Sequence, residues 1–262
     1  MKKILVISIL AILFVANTCN EYEYSPPNSV EIDYNLIPVW YYLKTGQPKQ
    51  AKKVAVSLNT YLTILHHEYK SLFQEKGTEE VFTDLESAMM HLHYLIDRAQ
   101  YEMAIDQTYM IVFKLSDWRS CTEDEHFIDR IWDFGRSYEN AKQVINDAEL
   151  CLLEWHDFEK MSQDLNDSWS RVKDAHIDEY LSEFFDEKEK TQYKFLVETI
   201  ENCIDDFNYT LMAADREEVA QFCNKIEPAY VQLVGMFGKF EPYLKPLPDL
   251  DWENIQITVI NE

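Results

Sequence analysis

Basic residues, glycine and proline are all scarce in this chain. Its 262 residues carry 24 Lys and Arg against 47 Asp and Glu, a formal net charge of −23. Such a surface repels phosphate backbones, so nucleic acid is not expected as a partner. The shortage of bases is not a shortage of core. With 47% hydrophobic and 14% aromatic residues, the chain can bury enough apolar surface to fold. The 179 residues from 49 to 227 contain no proline and only two glycines, Gly77 and Gly135. A β architecture of this length needs frequent Gly and Pro turns, so an all-α fold is predicted. Several catalytic signatures are also missing: CxxC pairs, Gly-x-Ser-x-Gly, a phosphate-cradling glycine loop and His-Glu-x-x-His. No catalytic residue or cofactor is therefore nominated, and a non-enzymatic role is expected.

What is present is helical periodicity. Ala51, Val54, Leu58, Tyr61 and Leu65 step by three and four, as do Phe82, Leu85, Met89, Leu92 and Ile96. The series Phe127, Ile131, Phe134, Tyr138, Ala141, Ile145 continues the pattern over a third segment. Start signals mark the ends: Pro48 as a first-turn proline, Thr122 to Glu125 as a capping-box pattern, and Asp215 with Glu218. Together these predict helices over 35–45, 48–75, 78–98, 100–118, 123–154, 157–185, 188–213 and 215–240. Tight turns fall near Gly46, Ala99, His156 and Ala214, which makes about four antiparallel hairpins. Residues 35–241 then form one elongated bundle or two packed four-helix bundles divided near residue 120.

The two ends differ from this body. Lys2 and Lys3 precede an apolar run from Ile4 to Val15, the layout of a secretory signal peptide occupying residues 1–18. The run closes on Ala16-Asn17-Thr18-Cys19, which resembles the lipobox of bacterial lipoproteins, although Asn17 and Thr18 depart from the usual small residues. That resemblance implies acylation of Cys19, and Asn20 after the cysteine implies outer-membrane sorting, on either its periplasmic or its cell-surface face. Residues 19–34, with Pro26-Pro27, read as an extended tether. At the other end Pro242, Pro246 and Pro248 stop any helix, so 242–262 is an extended tail. Within it the alternation from Asn254 to Ile260 predicts a strap along the bundle or an edge for a partner.

Candidate sites are few. Export implies an oxidising compartment, and in a hairpin turning at Ala213 the facing pair is Cys203 and Cys223, so a disulfide between them is expected. Cys121 and Cys151 stand at opposite ends of one predicted helix, about 45 Å apart, and cannot pair within it. Met89, His91 and His93, with Met103 and Met110 on the next helix, offer donors that suit copper. Against this, Met89 belongs to the core stripe, and His91 and His93 point in different directions. Trp40, Tyr41 and Tyr42 near the first turn, and Trp155 near the third, are candidates for exposed aromatic contacts.

These features predict a helical envelope lipoprotein, held to the membrane by its lipid anchor alone, that binds or scaffolds another envelope or extracellular protein. A narrower form is an acidic immunity or inhibitor protein with a basic partner. The alternative is a periplasmic bundle that binds a small ligand or a metal.

Overall fold

A run of eight uncharged residues, Leu36 to Leu43, dictates the centre of the fold. In the computed structural model, which describes residues 29–59, 62, 79–122, 126–145, 155–173, 185–212 and 216–240, this run lies in helix α1 (Ser29–Lys44). From Ile32 to Leu43 every residue except Asn35 is buried. A helix that is apolar all round has no solvent face and must be enclosed by others. Helix α1 thus begins inside the stretch assigned to the tether, and Trp40, Tyr41 and Tyr42 are core residues. They offer no exposed contact surface, because neighbouring helices cover them on every side.

Around α1 lie α2 (48–59), α3 (Glu79–Asp97), α4 (Tyr101–Thr122), α5 (Phe127–Ile145), α6 (Trp155–Lys173), α7 (Glu187–Met212) and α8 (Arg216–Gly235). The described residues hold these eight helices and no strand, an all-α antiparallel bundle. Helices α4 and α8 pack on α1, α5 packs on α4, α6 and α8, and the pairs α3–α4, α5–α6 and α7–α8 form hairpins. The first two turns use the same device. Gln47 N–H donates to Tyr42 O at 2.7 Å, and Gln100 N–H donates to Leu95 O at 2.9 Å, each closing a helix through a left-handed residue. That residue is Gly46 at φ 70° in one turn and Ala99 at φ 55° in the other.

Helix ends shift where side chains offer better partners than the sequence pattern suggests. Helix α5 starts at Phe127 rather than 123, since the Asp129 carboxylate reaches back to accept the His126 N–H at 3.2 Å. Helix α7 opens on a reciprocal capping box, Asp186 N–H to Glu189 Oε2 and Glu189 N–H to Asp186 Oδ1, both 2.8 Å. Inside α1, Pro38 has no N–H to give to the Tyr34 carbonyl four residues earlier. The Lys239 N–H takes that place at 2.7 Å and fixes the chain after α8 onto α1.

The buried side chains form one cluster drawn from both sides of residue 120. Trp40 stands at its centre, edge-on to Tyr109, Trp132 and Tyr230 at centroid distances of 6.0, 5.5 and 5.9 Å. Phe134 carries the packing on to Trp169 at 4.7 Å and to Tyr230 at 5.6 Å. Gly135 makes the last contact possible. A Cβ there would sit 1.8 Å from the Tyr230 hydroxyl, which donates to Ile131 O at 3.3 Å. Gly135→Ala is therefore expected to cost about 1–3 kcal/mol in urea unfolding. Tyr230→Phe removes the nearest clashing atom, so the double variant should lose less than the sum of the two single losses. Strict additivity would show that the two sites do not touch.

Candidate functional site

Charge inside the bundle is concentrated at the two ends of α1. At its N-terminal end Arg119, near the end of α4, is fully buried between Asp33 of α1 and Asp129 of α5. The Arg119 Nη1 donates to Asp33 Oδ2 at 2.6 Å, Nε donates to Asp129 Oδ2 at 3.2 Å, and Nη2 donates to Asp129 Oδ1. One guanidinium facing two carboxylates leaves a surplus negative charge where water is excluded. Asp129 lies in the first turn of α5 and accepts the His126 N–H. Asp33 has a buried Oδ1 with no hydrogen-bond partner. Burial pushes its carboxyl up to about 7, against the opposing pull of Arg119. The triad ties three helices together, and with every member buried it has no face for a substrate.

At the other end Lys44 donates to Glu139 at 2.7 Å and to Glu227 at 3.0 Å, while Lys142 donates to the second oxygen of Glu227 at 2.7 Å. Burial disfavours the Lys44 charge, but Glu139 and Glu227 outweigh it and raise its pKa. This network joins α1, α5 and α8. Neither end was visible as a site in the sequence. Asp33 lies in an acidic stretch, and only the fold places it beside Arg119.

The expected site residues scatter. Cys19 lies outside the described residues, as do Cys151, the tail from 241 and the Cys121 and Cys223 side chains. Cys203 is a half-buried free thiol, and the side chain of its expected partner Cys223 is not described. Across the α7–α8 hairpin Phe207 stacks on Phe222 and Lys225 lies opposite Asp206, pairs whose numbers sum to 429 and 431 rather than the expected 426.

Met89 is fully buried in the core. His91 points outward, with Nδ1 3.1 Å from Gln107 Oε1 and its ring stacked on Tyr94, while the His93 Nε2 lies 2.8 Å from Ala55 O. The three face different surroundings and share no common point for an ion. Among the described residues, no group of three or more His, Cys, Asp or Glu is arranged to hold a metal. Trp155 is the one aromatic contact candidate at the surface, 37% exposed at the start of α6 and resting on Phe158 at 5.3 Å.

Exposed apolar side chains gather elsewhere. Among the described residues nine large ones stand exposed, and five, Met90, Tyr94, Tyr101, Met103 and Met110, belong to the α3–α4 hairpin. Phe195 and Tyr209 stand on α7 at 56% and 73% exposure. No helix of the described residues is long and apolar enough to cross a membrane. Compared with protein-family models, curated proteins and solved structures, the chain finds no match.

Asp33 sets a pH dependence. Its carboxyl binds a proton in the folded state up to about pH 7 but only below about 3.8 when unfolded. The folded state therefore holds the extra proton in that window, and stability falls as pH rises through it. In urea titrations from pH 4 to 7, wild type should lose roughly 1 kcal/mol per pH unit relative to Asp33→Asn, then level off. A flat difference would mean that Asp33 stays ionised in the fold.

Proposed function

We propose that this protein is a non-enzymatic envelope lipoprotein that binds another envelope or extracellular protein, with a lipid on Cys19 as its membrane attachment. The observation that carries the reading is the surface chemistry. The chain carries a net charge of −23, and among the described residues nine large apolar side chains stand exposed, seven of them on the α3–α4 hairpin and on α7. Isolated surface hydrophobics are ordinary, but exposed methionines and tyrosines concentrated on one hairpin suit protein contact. The interior supports the same view, since its aromatic rings pack against one another and its Asp33, Arg119 and Asp129 group is enclosed. Such a body serves as a rigid carrier of surfaces. The acidic exterior favours a basic partner and speeds its encounter, which suits an immunity or inhibitor protein.

Membrane and partner are tested together by placing photo-crosslinking residues at Tyr94, Met103 and Phe195, and at Lys160 on the exposed face of α6 as a control, in protein expressed in its own host. The expected result is an intact mass carrying acyl chains on Cys19, loss of membrane association in Cys19→Ala, and one protein crosslinked from the apolar positions but not from Lys160. A soluble, unacylated chain with no adduct at any apolar position would contradict the reading.

A further inference from the structure

Helix α7 presents an ordered stripe to solvent. Phe195, Glu198, Asn202, Asp205 and Tyr209 are all exposed and follow one another at spacings of three, four, three and four. That is the repeat by which one helix meets another along a seam. Here the seam lies outside the core, which α7 reaches through Tyr193, Leu196, Ile200, Ile204 and Phe207. Its ends are aromatic and about 21 Å apart, and its centre is polar and acidic. From Phe195 to Met212 the helix carries Glu198, Glu201, Asp205 and Asp206 and no basic residue.

Beside the Tyr209 end lies a groove of about 210 Å³ between α7 and α8. Phe207 and Phe222, stacked at 4.2 Å, line it together with Asp206, Lys225 and Cys203. The Lys225 Nζ is 3.8 Å from Asp206 Oδ2, at the long limit of an ion pair, and both side chains are at least half exposed. Asp206 can therefore accept a second cation. Burial pushes the Cys203 thiol above its usual pKa, with Asp206 adding to the effect, which suits a groove wall better than a nucleophile.

We propose that the outer face of α7 docks a basic helical segment of the partner protein, with a lysine or arginine of that segment seated in the α7–α8 groove. Charge decides the occupant: an acidic or neutral helix would meet Glu198 and Asp205 unpaired, whereas a basic one neutralises both. Chemistry decides the anchor. A Lys or Arg stem lies along the Phe207 and Phe222 rings while its head reaches Asp206. Phe195 and Tyr209 then pack on apolar residues flanking the basic centre. This inference rests on the basic-partner reading above and assigns it a place.

The test uses the full chain and a synthetic amphipathic peptide of leucine and lysine in helical repeat, with glutamate in place of lysine as the control, followed by fluorescence anisotropy. Two double variants add equal charge at different places: Glu198→Lys with Asp205→Lys on α7, and Glu80→Lys with Glu102→Lys on the α3–α4 hairpin. The α7 pair should weaken lysine-peptide binding by about tenfold or more, because like charges then oppose across the contact. The hairpin pair should change it by less than about twofold at physiological salt, its charges being screened from the site. Phe195→Ala with Tyr209→Ala should also weaken binding by about tenfold. Bound peptide should slow alkylation of Cys203. Equal weakening by both charge reversals would overturn the α7 site while leaving a diffuse acidic attraction intact. Failure of the lysine peptide to bind at all would overturn the basic-partner reading as well.

Discussion

The rest of the bundle depends on the burial of α1. A helix whose side chains are covered on every side leaves its charged and polar groups no water to turn to, so other elements must supply their partners. Asp33 receives Arg119 from α4, which brings Asp129 and the start of α5 with it. Lys44 receives Glu139 from α5 and Glu227 from α8. The Tyr34 carbonyl, deprived of its helical donor by Pro38, receives the Lys239 N–H. Each partner fixes one more helix against α1, and Trp40 fills the middle between Tyr109, Trp132 and Tyr230. A buried ion pair adds little net stability, but losing one member strands the other, so these contacts specify one arrangement strongly.

The outer surface follows from the same arrangement. With α1 enclosed, the α3–α4 hairpin packs on it through α4, while α7 packs on α6 and α8. Their outward faces are left to solvent, and those faces carry most of the large exposed apolar side chains. The proposed carrier or scaffold, held at a membrane by its N-terminus, would use these two faces as its contact surfaces.

The all-α class, the three hairpins α3–α4, α5–α6 and α7–α8 and the turns near Gly46 and Ala99 were legible in the sequence, because each rests on local signals: the scarcity of proline and glycine and three-four periodicity. The extent of α1 was not. Periodicity detects a helix by the contrast between its faces, and α1 has no contrast to show; its charge-free run was instead read as a short helix with surface aromatics. The partnership of residues 33, 119 and 129 has no local signature, since it joins three segments far apart in the chain. The register of the α7–α8 hairpin was not legible either: Phe207 meets Phe222 and Asp206 meets Lys225, because a turn displaced by one or two residues changes which side chains meet. Phe195 and Tyr209 could have been noticed as aromatics standing off the core stripe of their own helix.

Native-state hydrogen exchange of the α1 amides tests the central role of that helix most directly. If α1 is the enclosed centre, the amides of residues 36–44, leaving aside Pro38, should be among the slowest in the protein and should exchange only through global unfolding. Fast exchange of this segment, with α5 and α8 still protected, would contradict it: α1 would then be a peripheral arm rather than the element on which the bundle is built.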